Sequence, residues 1–190
     1  MTVILLNGVG SAGKSSIARA LQDILAGVWL HVSMDASLAM LPEHLQDDPS
    51  IFSYRDVALA GNPPEIAVHG GEAGGRLLAG MHRAVAAMAH AGNDLIVDDV
   101  LVGDRLADYE TQLAGLHFLK IGVLAPLDEL EAREAARADR MPGLARWQFP
   151  RVHAGLRYDL EIDSATATPR HCAELIAARF ELARRVPFHI

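Results

Sequence analysis

The sequence predicts a three-layer α/β fold, with a parallel sheet of about five strands covered by helices on both faces. Short apolar runs rich in β-branched residues, such as Val3–Leu6, Leu95–Val97 and Phe118–Leu124, alternate with stretches of helical periodicity. Alternation of this kind requires crossover connections, and therefore parallel strands buried on both sides. A third observation is a glycine-rich segment, Gly8 to Ser15, lying between the first apolar run and the first helical pattern.

Taken in order, Val3–Leu6 reads as a strand ending at Asn7-Gly8, and a helix follows Lys14 with Ile17, Leu21, Ile24 and Leu25 on its apolar face. A second strand, Val28–Ser33, runs into Met34-Asp35 and a short apolar stretch closed by Pro42. Residues 42–75 are rich in Pro, Gly and acidic side chains and lack sustained periodicity, so 41–75 is expected to be a long functional loop that binds the acceptor. Leu77, Leu78, Met81, Val85, Met88 and Ala89 predict a helix stopping near Gly92, and Leu95–Val97 a buried strand leading into Asp98-Asp99. A polar helix over 104–113, the strand Phe118–Leu124, a charged helix over 127–138 and a short strand Tyr158–Ile162 follow. A terminal helix is predicted over 169–185, with Leu175, Ile176 and Leu182 on its apolar face. Residues 1–190 form a single domain on this reading.

Composition narrows the function. The formal net charge of -7 and the lack of a long Lys/Arg cluster argue against a nucleic-acid partner. No apolar run approaches the roughly 18 residues of a membrane span, and Met1 is not followed by the basic flank and cleavage site of a signal peptide. A lone cysteine, Cys172, fits an inert core residue in a reducing cytosol, so a cytoplasmic protein is expected. The nine histidines show no short metal-ligand pairing.

Gly8-Val9-Gly10-Ser11-Ala12-Gly13-Lys14-Ser15 matches G-x-x-x-x-G-K-[ST] in full, in the strand-to-helix context that the motif requires. Several backbone N–H groups must point at one anion, which needs glycine wherever a Cβ would block the approach. The helix N-terminus adds partial positive charge. ATP is the implied ligand. Lys14 would reach the β- and γ-phosphates, Ser15 would join the shell of Mg²⁺, and Ser16 would bond an α-phosphate oxygen.

Polar residues at the carboxyl ends of parallel strands are the next candidates. Asp98 would hold Mg²⁺ through water or orient Ser15, the alternative being a helix or turn cap. Asp35 is the candidate base for an acceptor hydroxyl, the alternative being an N-cap for residues 36–40. Arg133, Arg137 and Arg140 stand at i, i+4 and i+7, so one continuous helix would place them on one side as a phosphate clamp. The competing arrangement is a solvated helix whose arginines pair with Glu129, Glu131 and Glu134. Met141-Pro142-Gly143 offers a hinge, making 133–150 a candidate helical lid; the spacing of Arg146 and Arg151 decides nothing.

The loop with Asn7 before it, Trp29-Leu30 leading to Met34-Asp35, the stretch Ile96 to Val100, the run from Arg133 to Arg140, and Val152-His153 through Tyr158-Asp159 together resemble the chloramphenicol phosphotransferase family. The likeness keeps its order along nearly the whole chain. It implies a three-layer P-loop kinase fold with a small helical lid, and transfer of the γ-phosphate of ATP to a hydroxyl of an antibiotic. It also implies Asp35 as base, and Arg133, Arg137 and Arg140 as lid arginines with Arg140 at the transferring phosphate. Two departures stand out: residues 47–75, where the acceptor pocket is expected, match little beyond composition, and Ala138 replaces a glycine of the family pattern.

The combined expectation is an ATP- and Mg²⁺-dependent kinase acting on a small, partly apolar alcohol, chloramphenicol or a relative, and so conferring antibiotic resistance. Leu38, Met40, Leu41, Phe52 and Tyr54 are the candidate acceptor contacts. A nucleotide acceptor would want more arginines than Arg55 and Arg76. Two alternatives stay open: a nucleoside or nucleotide kinase, and a non-catalytic regulator that binds ATP. A homo-oligomer is compatible with either.

Overall fold

A computed structural model describes residues 1–45, 48–138 and 140–185. Its central sheet holds β1 (Thr2–Asn7), β2 (Trp29–Ser33), β5 (Asp94–Asp99), β6 (His117–Leu124) and β7 (Leu160–Asp163). They lie in the order β2-β5-β1-β6-β7, and every neighbouring pair is parallel. Strand β1 is central because its apolar run can be buried on both faces. Ile4 and Leu6 enter one core cluster with α1 (Lys14–Ile24) and α7 (Pro169–Arg179). Val3 and Leu5 enter a second with α3 (Glu72–His90) and α4 (Arg105–Gln112). This is the three-layer α/β fold expected from the alternation.

Strand order reverses beside β1, so the carboxyl ends of β1 and β5 open a crevice. Asn7 fixes that end. Its side chain is fully buried, donates to the Val152 carbonyl (3.0 Å) and the Tyr158 hydroxyl (2.7 Å), and accepts from the Leu101 amide (2.8 Å). Among the described residues no helix is long and apolar enough to cross a membrane.

Several boundaries differ from the sequence reading. Residues 41–75 are not one irregular loop. They carry a two-stranded antiparallel hairpin, β3 (Phe52–Asp56) with β4 (Ile66–Gly70), and α3 begins at Glu72. Glycines that read as loop composition are positions of close approach: a Cβ on Gly71 would strike the Ser50 carbonyl, and one on Gly74 the Ile51 carbonyl. The helix start therefore packs directly on the backbone before β3. Asp47, where weak matching to the family begins, lies outside the described residues, as does Asp139 within the candidate lid.

Helix α5 (Leu127–Ala135) stops three residues before the expected 138, and a separate helix, α6 (Leu144–Val152), which contains Pro150, falls largely within the candidate helical lid of 133–150. The apparent i, i+4, i+7 face of arginines is thus not a helix face, since only Arg133 lies within α5. The final helix ends at Arg179 rather than Arg185. The chain turns back at Glu181 (φ 52) so that Ala183 and Arg185 bond to Ala26 and Ile24. Its buried face is Cys172, Ala173, Ile176 and Ala177, while Leu175 points outward. Strand β7 starts at Leu160, because the Tyr158 ring lies over Gly122, where a Cβ would approach it to 2.7 Å.

Asn7→Ala removes three buried hydrogen bonds at once, and the expected loss of stability is roughly 2–4 kcal/mol. A urea unfolding midpoint unchanged from the parent would contradict the role given to this side chain.

Candidate functional site

Between β1 and α1 the chain makes a tight anion-sized loop. Gly8 lies so close to β6 that a Cβ there would sit 2.5 Å from the Val123 carbonyl, and Gly13 (φ 86) takes a left-handed conformation that other residues avoid. Ser11 shares that region at φ 65, a strain of about 1 kcal/mol. Gly13 is the N-cap of α1 and brings no side chain to the first-turn N–H groups. Those groups face the cavity with the helix dipole behind them. The Ser11 hydroxyl is also buried without a hydrogen-bond partner.

Lys14 is buried, and its Nζ donates to the carbonyls of Gly8 (2.9 Å) and Val9 (3.0 Å). Burial pulls its pKa below the ordinary lysine value, against the opposing pull of Asp98, Asp35 and Asp99. Ser15 Oγ donates to Asp98 Oδ2 at 2.5 Å, and Lys14 Nζ stands 3.9 Å from the other oxygen of that carboxylate. Burial alone would raise the pKa of Asp98. His31, Lys14 and Ser15 together hold it below the usual carboxylate range. His31 Nε2, 3.7 Å away and without a hydrogen-bond partner, acts on Asp98 as an electrostatic neighbour. A hard carboxylate oxygen beside a hydroxyl suits Mg²⁺.

Asp35 sits in the first turn of α2 (Met34–Leu38), but it is not the cap. Ser33 Oγ accepts the Ala36 amide and fills that role, leaving the Asp35 carboxylate to meet Arg140 Nη2 at 2.6 Å. The capping alternative is therefore removed. Lys14, Ser15, Asp35, Asp98, Arg133, Arg137 and Arg140 all line one cavity of about 610 Å³. Gly10 to Ser16 form part of its wall, whereas Gly8 and Val9 contribute through their carbonyls to Lys14.

Arg133 departs from the clamp expected of it. Its Nε bonds Glu129 at 2.7 Å and its Nη2 the Ser164 carbonyl at 2.9 Å, so the guanidinium edge is tied to the β7–α7 connection. The predicted pairing with Glu129 is real, yet the same residue borders the cavity. Arg137 and Arg140 reach it from the segment after α5, and Arg146 instead pairs with Glu131 at 2.6 Å.

The sequence pattern of a family described as "Chloramphenicol phosphotransferase-like protein" matches residues 1–181. The chain belongs to that family. Two Mycobacterium tuberculosis proteins, from strains CDC 1551 and H37Rv, are each 34% identical over 174 residues, covering 89% of this chain and 77% of theirs; both bear the name "Putative O-phosphotransferase". Among solved structures, a sugar kinase from Janibacter sp. HTCC2649 superposes with a TM-score of 0.68 at 18% identity, covering 96% of each chain. The tunicamycin resistance protein of Deinococcus radiodurans does so with 0.64 at 19%, covering 98% of this chain and 100% of that one. The fold is that of P-loop kinases, and family and fold support a kinase-like O-phosphotransferase.

Sequence reasoning missed His31, Ser164 and Gln148. Gln148, on α6, accepts the Gly10 amide through Oε1 at 2.7 Å. No local pattern marks these residues, because only the fold brings them to the loop. A buried network behind β5 was also unread. His82 Nδ1 bonds Asp108 at 2.7 Å, its Nε2 lies 3.4 Å from Asp99, and Tyr109 donates to Asp99 at 3.0 Å.

Burial lowers the His82 pKa, but hydrogen bonds to Asp99 and Asp108 outweigh it and leave the value raised above 6.5. A raised folded-state pKa gives stability that is complete below the unfolded value and lost as pH rises through the folded one. Thermal melts from pH 6 to pH 9 should therefore show a fall that shrinks in His82→Gln. An equal fall in both proteins would refute this assignment.

Proposed function

We propose that the chain transfers the γ-phosphoryl group of ATP to a hydroxyl of a small, partly apolar alcohol, acting in the cytosol. The observation that carries the proposal is the meeting of Asp35 and Arg140 at 2.6 Å in the cavity lined by the glycine loop and Lys14. An acid–base group thus shares one space with a phosphate cradle. That placement supports an acceptor-binding reading over a site that holds nucleotide alone.

The residues divide the work. The bare N-terminus of α1, the unpartnered Ser11 hydroxyl and buried Lys14 fit the β- and γ-phosphates. Arg133, with its edge bonded to Glu129 and Ser164, keeps a flat guanidinium face for the base. Ser15 and Asp98 would hold Mg²⁺, whose charge offsets that of the phosphate oxygens. Asp35 takes the proton of the acceptor hydroxyl. The acceptor oxygen then bonds to the γ-phosphorus, the bond to the bridging β–γ oxygen breaks, and ADP leaves. Arg137 and Arg140 supply guanidinium charge as it spreads over the transferring oxygens.

An apolar cluster that touches the cavity through Met34 supports a partly apolar acceptor. Met34, Leu38, Leu41 and Val68 gather around buried Ile51, Phe52 and Leu78 beside Asp35. Neither Arg55 nor Arg76, which pairs with Glu72 on the exposed surface, lines the cavity, and this argues against a nucleotide acceptor. The family description makes chloramphenicol the first compound to try, with drug inactivation as the biological outcome.

Asp35→Asn should retain ATP binding while phosphorylation falls by about two to four powers of ten. Lys14→Met should weaken ATP binding by roughly a hundredfold or more, measured well below the melting temperature of both proteins. Both are checked by coupled ADP release and calorimetry over hydroxylated antibiotics, nucleosides and cofactor precursors. Full activity in Asp35→Asn would overturn the base, and tight ATP binding without phosphorylation of any compound would favour a regulator.

A further inference from the structure

We infer that Gln148 is a positioning residue for the phosphate loop, setting the Gly10 peptide before a nucleotide arrives. This rests on the reading of the loop as an ATP site. Gln148 is 7% exposed, and its Oε1 accepts the Gly10 N–H at 2.7 Å. A Cβ on Gly10 would come within 3.2 Å of that same oxygen, so glycine at this place in the motif leaves room for the carboxamide as well as for a phosphate. Inside the loop the carbonyl edge of the Val9–Gly10 peptide is already held, for Val9 O accepts both Ala12 N and Lys14 Nζ (3.0 Å). Ala12 N bonds Val9 O at 3.2 Å, and Ile17 N bonds Gly13 O at 3.0 Å. The N–H edge of that peptide is held from outside, by a residue 138 positions away in sequence.

That helix is itself braced. Its N-cap, Gly143 (φ 99), has no side chain, and buried Glu134 on α5 takes the part of a cap by accepting the amides of Gly143 (2.8 Å) and Ala145 (2.9 Å). At Gly143 the helix also meets the hairpin, where Ile66 N donates to Gly143 O at 2.9 Å. Glu134 therefore fixes α6, and α6 fixes Gly10. A loop held in one orientation binds its anion without a further ordering cost. The consequence is specific to nucleotide affinity. Without the carboxamide oxygen, α6 still packs through Ala145 and Val152, but the Gly10 N–H loses its acceptor and the peptide is held at its carbonyl edge alone.

The test compares Mg-ATP binding by calorimetry in the parent and Gln148→Met, which keeps the length of the side chain and removes the acceptor. The expected result is about three- to tenfold weaker binding, the scale of one lost hydrogen bond, measured well below the melting temperature of both proteins. Equal affinity in the two, with only a lower melting temperature in the variant, would show a packing role and overturn the inference. Failure of the parent to bind Mg-ATP would instead defeat the reading of the site. If Gln148→Met does not fold, amide exchange in the parent decides. Gly10 N–H should be protected in nucleotide-free protein, and exchange at the rate of an open loop would contradict the proposal.

Discussion

The arrangement depends on the burial of one ammonium group. Lys14 sits within the core rather than on its surface, with two loop carbonyls and the Asp98 carboxylate around it. A charge taken out of water costs several kcal/mol unless it is met by partners. The loop must therefore curl back to offer Gly8 O and Val9 O, and β5 must end beside β1 so that Asp98 is in range. The Ser15–Asp98 bond closes the same corner from α1. Sheet order and loop shape are thus joined through electrostatics as well as apolar packing.

The acids of β5 divide between two faces. Asp98 turns to α1 and the cavity, and Asp99 turns to α3 and α4, where His82 and Tyr109 meet it. The strand end is thereby held from both layers. On the other side of β1, Asn7 ties the start of the loop to Val152 and Tyr158. The glycine loop is a short piece of chain suspended between fixed anchors, which suits a site that must present several N–H groups to one anion at little reorganisation.

Much of this was legible in the sequence, and the reason is locality. The cradle is built from consecutive residues, so its glycines, Lys14 and Ser15 announce themselves by spacing. Asp35 and Asp98 were found because strand ends are predictable from apolar runs. The arginines were found by type but misplaced by geometry: α5 ends at Ala135, and Arg133 is tied to Ser164 and Glu129 instead of standing in a row with Arg137 and Arg140. Residues 52–70 hid their hairpin because its strands are short and only partly buried, and because Gly71 and Gly74 serve close packing rather than a loop. Gln148 and His31 had no signal, since each acts across the fold on a partner far away in the chain.

The segment expected to be a lid is accordingly smaller than its sequence bounds of 133–150. Glu134 pins the start of α6 and Gln148 pins its middle to the loop, so that part of the segment is tied to its surroundings at both places. The central claim is that this braced site passes a phosphoryl group to an alcohol. Phosphorus-31 NMR of the protein with Mg-ATP and chloramphenicol or another hydroxylated acceptor tests it most directly. The account predicts a new phosphate monoester resonance growing in step with ADP; ATP that stays intact, or yields only inorganic phosphate with every alcohol offered, would contradict it.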